Sequence, residues 1–194
     1  MARRAVTFAL TALLVCAPAS VLVGCDATAG GSGAATTSGE TTTGRRFTVP
    51  AAFFGNKAAS ACEEVLENYG AQDIERNADG SYTVSMTDAG YERFVADDLS
   101  ATEQVLDAIP GAKGYSRITH VSYNEDLTEV TFTCSSGGSL GDAGDNAANT
   151  AIYVCCLHQT IAGVSDLDCT VTFKDPAGGV IATYSAQDIL SNAS

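Results

Sequence analysis

Apolar and polar residues change their spacing several times along this chain, and each change marks a boundary. Residues 5–24 are almost entirely small or apolar, close to the length of a membrane span. Residues 26–46 are mostly Gly, Ala, Ser and Thr, with no large apolar side chain. Such a segment cannot bury enough surface to offset the entropy of ordering, which predicts a flexible stalk spanning on the order of 25 Å. From Phe47 onward the pattern becomes that of a folded domain, and no second Gly/Ser/Pro-rich linker divides residues 47–194.

Within that domain, Phe47-Thr48-Val49 before Pro50 predicts a short strand. Cys62, Val65, Leu66 and Tyr69 then follow at helical spacing, with Glu63, Glu64 and Glu67 opposite and Gly70 as the stop. Tyr82, Val84 and Met86 alternate with Thr83 and Ser85 after the turn at Ala78-Asp79-Gly80, which predicts a hairpin. Thr87 is placed to cap a helix lined by Tyr91, Phe94, Val95, Leu99, Val105, Leu106 and Ile109, and Pro110-Gly111 ends it. A capping box at Ser100 and Glu103 leaves two helices as the alternative.

The same grammar recurs twice. Strands over 116–123 and 128–134 flank Asn124-Glu125-Asp126 and lead into a helix over about 145–161. A hairpin from Cys169 to Tyr184 then turns at residues 175–179, and Ser185 with Asp188 starts a short final helix. Half-buried alternating strands and one-sided helices predict an α+β fold, mostly antiparallel, with helices on one face.

The amino end carries Arg3 and Arg4, then the apolar run, then Leu22-Val23-Gly24-Cys25. A basic start, an apolar middle and a small residue before the cut make the three-part pattern of a processed leader, and Thr7, Thr11, Pro18 and Ser20 break the run expected of a retained anchor. Residues 22–25 resemble the lipobox of bacterial lipoproteins. The resemblance implies cleavage before Cys25, a diacylglyceryl group on its sulfur, and a protein held on the extracytoplasmic side of a cell membrane by lipid rather than by a span. It covers the leader and Cys25, and implies nothing about the domain.

Charge narrows the partners. The chain has 10 basic and 23 acidic side chains. Loss of residues 1–24 removes two arginines and no acids, leaving 8 − 23 = −15. A surface this acidic repels phosphate backbones and anionic headgroups, so nucleic acid is not an expected partner and attachment falls to the lipid.

Residues of catalytic type are present without a complete constellation. Gly137-Gly138-Ser139-Leu140-Gly141 matches G-x-S-x-G between a predicted strand and helix, as in a nucleophile elbow. That architecture needs an acid and then a histidine after the serine, whereas His158 precedes Asp166 and Asp168. The motif therefore reads first as a glycine loop entering a helix. Cys155 and His158 lie three apart on a predicted helix, a spacing open to a thiolate and its base or to two metal ligands. Their neighbours are apolar nearly all round, which points to burial, and the helix dipole favours a histidine in the last turn. Glu75, Asn77, Asp79 and Gly80 imitate half of a calcium loop, but Met86 stands where its glutamate is required. No metal or cofactor is expected.

Besides Cys25, the mature chain holds Cys62, Cys134, Cys155, Cys156 and Cys169, with no C-x-x-C pair. Disulfides are permitted outside the cytosol, and Cys134 with Cys169 is the favoured pair because both fall on apolar faces of nearby strands. Three functions stay open: a membrane-anchored, non-catalytic domain binding a protein, glycan or small ligand; a tethered hydrolase using Ser139 or Cys155/His158; and a structural subunit of an envelope complex. The first leads, on the tether and on the incomplete catalytic sets.

Overall fold

The computed structural model describes residues 44–188. The leader, Cys25 and nearly all of the expected stalk lie outside the described residues, and among the described residues no helix is long and apolar enough to cross a membrane. The order of elements is β1 (Arg45–Val49), α1 (Ala51–Phe54), α2 (Ala59–Asn68), β2 (Asp73–Arg76), β3 (Tyr82–Met86), α3 (Asp88–Ala108), β4 (Ile118–Tyr123), β5 (Glu129–Cys134), α4 (Asp142–Ile161), β6 (Thr170–Lys174) and β7 (Val180–Ser185). The fold is α+β. Its strands divide between two sheets, where the sequence suggested one: β1-β3-β2, all antiparallel, and β4-β5-β6-β7, in which β5 and β6 run parallel and the other pairs antiparallel.

The first sheet takes its shape from the alternation in β3. Tyr82, Val84 and Met86 point into a core shared with Val49, Leu66, Tyr91 and Phe94. Aromatic rings fill that core edge to face, with centroids 4.8 Å apart for Phe47 and Tyr91 and 5.2 Å for Phe54 and Tyr82. Such contacts add about 0.5–1.5 kcal/mol each beyond the area they bury. The α1 turn holds Phe54 in this cluster; four residues are too few for a helical period to show in sequence.

Thr87 caps α3 as its position suggested, its hydroxyl accepting from the Gly90 amide at 3.1 Å. The helix continues unbroken to Ala108, so the Ser100/Glu103 box starts no second helix. One face of α3 joins both cores, Tyr91 and Phe94 entering the first and Leu106 the second.

In the second sheet Val130, Phe132 and Cys134 of β5 stand beside Val171 and Phe173 of β6 on a single buried face, covered by α4. Ser122, Thr131, Thr172 and Thr183 form one register row on the other face, across all four strands. The covering face of α4 is built of small residues, Ala147, Ala148, Ala151 and Cys155, all at 0% exposure, which lets helix and sheet approach closely. Since α4 links two parallel neighbours, β5, α4 and β6 form a crossover unit, the connection that parallel pairing requires.

Candidate functional site

The crossover creates the site. Residues 135–141 leave the C-terminal end of β5 and enter α4, while Asp175 follows the C-terminal end of β6. Between them and β7 lies a cavity of about 490 Å³ whose walls include the glycine loop, Asp145, Asp175, Ile181 and Tyr184. Crevices outside the carboxyl ends of parallel strands are the usual ligand positions of open α/β sheets, and the β5/β6 pair reproduces that arrangement locally.

One side chain organises the loop. The Arg117 guanidinium donates to the carbonyl oxygens of Ser136 at 3.0 Å, Gly137 at 2.9 Å, Gly138 at 3.3 Å and Ser139 at 2.7 Å. Collecting these carbonyls around one cation bends the chain sharply. Gly138 and Gly141 adopt positive φ, 95° and 54°, where a side chain would be strained. Gly144 serves a different need: a Cβ there would meet the Leu140 Cβ at 2.6 Å, so its bareness lets the loop fold back onto the first turn of α4.

The opposite wall is rigid and acidic. Asp175 Oδ1 accepts from the amides of Ala177 and Gly179 at 2.9 and 2.8 Å and shapes the turn between β6 and β7. The Tyr184 hydroxyl donates to Asp145 Oδ1 at 2.7 Å. That bond to a carboxylate, with partial burial, pushes the phenol up to about 12, so Tyr184 remains a neutral donor at ordinary pH. Asp142 and Asp145 occupy the first turn of α4, where carboxylates offset the positive end of the helix dipole. Arg117 is engaged with the loop carbonyls. Among the lining side chains the charged groups are the Asp145 and Asp175 carboxylates, both acceptors.

The residues singled out in sequence lie in different places. Ser139 is exposed at the cavity, and its Oγ accepts from the Gly141 amide at 3.3 Å. His158 is at the far end of α4; about 24 Å of helix separates Asp142 from it, at 1.5 Å per residue. The second histidine, His120, is exposed on β4 opposite Thr133. Neither histidine lines the cavity, and neither is hydrogen-bonded to Ser139.

Cys155 and His158 share a helix but not a task. His158 Nδ1 meets Asp98 Oδ2 of α3 at 2.7 Å, with side chains 11% and 8% exposed. Cys155 is at 0% exposure, and its contact with the Cys169 thiol together with burial pushes its own thiol far above the ordinary range, the opposite of an activated nucleophile. Among the described residues no cluster of three or more His, Cys, Asp or Glu could hold a metal ion. Asn77 and Asp79, from the calcium-like run, bond instead within their turn, to Ser81 and Thr83.

The expected pair Cys134 and Cys169 is corrected by the register. Thr133 stands opposite Lys174, so Cys134 aligns with Asp175 and Cys169 lies 175 − 169 = 6 positions back along the neighbouring strand. At about 3.3 Å per residue the two are roughly 20 Å apart, beyond the ~7 Å limit between Cα atoms of a disulfide. Sequence reasoning placed both on apolar faces correctly; the parallel pairing that offsets them has no signature in the strands themselves.

Sequence reasoning also missed Asp98, Arg117 and Tyr184. Asp98 had a signal, an acid within the apolar stripe of a helix. Arg117 and Tyr184 had none, since each acts through elements brought together by folding. Comparison with protein-family models, with curated proteins and with solved structures returns no match for this chain.

Proposed function

We propose that this chain is a bacterial lipoprotein, anchored through Cys25 to the extracytoplasmic side of a cell membrane, whose domain binds a small polar ligand or glycan in the cavity at the Gly137–Gly141 loop. The observation that carries the binding half is the loop itself: one arginine and positive-φ glycines shape a cavity lined by Ser139 and by no histidine. The lining sets the ligand chemistry. Asp145 and Asp175 carboxylates select hydroxyl or ammonium donors, and Tyr184 fixes the orientation of Asp145. The membrane half rests on the lipobox-like residues 22–25, and lipid labelling of the wild type but not of Cys25→Ala is its test.

Thermal unfolding of the chain in detergent, with panels of neutral sugars, polyamines and inorganic phosphate, tests the binding half. A ligand at one hundred times its Kd adds about 2.7 kcal/mol, a rise in Tm of about 5–10 °C for a domain of this size. A rise with a sugar or polyamine that disappears in Asp145→Asn is expected. A rise with phosphate alone overturns the ligand class, and turnover of simple esters that is lost in Ser139→Ala overturns the binding reading in favour of hydrolysis.

A further inference from the structure

Cys155, Cys156 and Cys169 gather where α4 lies over the start of β6, away from the cavity at the other end of the helix. We propose that Cys155 and Cys169 form an intramolecular disulfide in the mature protein, tying α4 to the start of β6 and closing a segment of 169 − 155 = 14 residue steps. The proposal rests on the reading that the domain folds outside the cytoplasm, where disulfides form and persist.

Geometry selects this pair from the five cysteines. Both side chains are at 0% exposure in one core, and the small residues on this face of α4 bring its Cα atoms within 8 Å of those of β6. Gln159, one turn beyond Cys155, fixes the height of the strand against the helix. Its Nε2 donates to the Asp168 carbonyl at 2.7 Å and its Oε1 accepts from the Asp168 amide at 3.1 Å, so the residue next to Cys169 is held on both of its backbone polar groups. Residues four apart lie on the same helix face, which turns Cys155 toward Cys169. Both are free, buried thiols in the structure, in the same core cluster. Cys134 lies at the far end of the parallel pair and Cys62 in the other core. Cys156, the next residue after Cys155, points about 100° further round the helix.

The reaction is a two-electron exchange with an extracytoplasmic disulfide donor, protein or small molecule. Each thiol loses its proton; one thiolate attacks the donor to give a mixed disulfide, and the other displaces it. One S–S bond forms in the chain, one breaks in the donor, and the donor leaves as two thiols. With both side chains at 0% exposure, no external thiol or disulfide reaches them once α4 has docked, so the bond forms during folding and resists reduction afterwards.

The full chain in detergent, reduced, denatured and refolded in a glutathione redox buffer, tests the pairing independently of location. After alkylation in denaturant and proteolysis, a peptide pair joined through Cys155 and Cys169 is expected, lighter by two hydrogen atoms than its reduced components. It is lost in Cys155→Ala and kept in Cys134→Ala. Alkylation of both residues in the refolded wild type, or linkage of Cys169 to Cys134 or Cys156, overturns the pairing. The chain alkylated at cell lysis supplies the second arm. Both thiols alkylated in lipid-labelled, membrane-derived protein overturns the disulfide as a native feature; reduced, unlabelled chain recovered only from the cytoplasm overturns the location, and with it the bond there.

Discussion

Asp98 and His158 show how a single residue can fit the apolar pattern and still break its chemistry. Asp98 continues the buried stripe of α3 between Phe94 and Thr102, and a carboxylate left there alone would cost several kcal/mol. His158, one turn from the end of α4, meets it at 2.7 Å, and among the described residues no buried side-chain nitrogen or oxygen lacks a partner. Removing one member is worse than removing both. Urea unfolding of His158→Ala is expected to show a loss of about 3–5 kcal/mol, whereas Asp98→Leu with His158→Leu, apolar and of similar volume, loses far less. Equal losses in the single and double variants would make the pair an ordinary packing contact. The burial of His158 was legible in sequence from its apolar neighbours, but its partner, 60 residues away, was not. Gln159 was equally hidden: its bonds to Leu127 and Asp168 depend on loops whose approach no local pattern encodes.

At the scale of elements, legibility followed periodicity. The β2/β3 hairpin was plain because Tyr82, Val84 and Met86 alternate, and the start of α3 was plain because Thr87 has the chemistry of a cap. The division into two sheets was not, since alternation says which side of a strand is buried and nothing about its neighbour. The parallel β5/β6 pair was recoverable only from the α4 connection, which also suits a hairpin-plus-helix reading. Contacts between elements impose requirements as well. Gly90, in the first turn of α3, faces the end of α2, and a Cβ there would lie 2.5 Å from the Tyr69 carbonyl oxygen. In an open helix Gly→Ala stabilises by about 1 kcal/mol. Overpacking costs about 1–3 kcal/mol, and the atom in the way is backbone, fixed by the α2 terminus, so the clash prevails. Gly90→Ala is therefore expected to lower the urea midpoint with unchanged slope; a raised midpoint would mean that the α2 end yields freely.

At the scale of the whole domain, the two long helices decide whether two sheets make one cooperative unit. The first core takes Tyr91 and Phe94 from α3 and Ile161 from α4; the second takes Leu106 from α3 and most of the buried face of α4. The Tyr91 hydroxyl donates to the Ile161 carbonyl at 2.9 Å, and Asp98 with His158 joins the same helices between the cores. Neither sheet can lose its helical cover without exposing apolar surface on the other. Local opening confined to one sheet would leave α3 and α4 half solvated, with the buried Asp98–His158 hydrogen bond broken. Native-state hydrogen exchange resolves the alternatives because β3 and β5, the strands at the centre of each core, report separately. Phe94→Ala, at 0% exposure in the first core, costs about 3–5 kcal/mol. In a single unit that loss appears in full at the amides of β5, in a sheet whose core Phe94 does not join. Protection of β5 that stays at the wild-type level while β3 loses its own would instead make the sheets separate folding units, with the cavity beside β6 surviving the collapse of the other half.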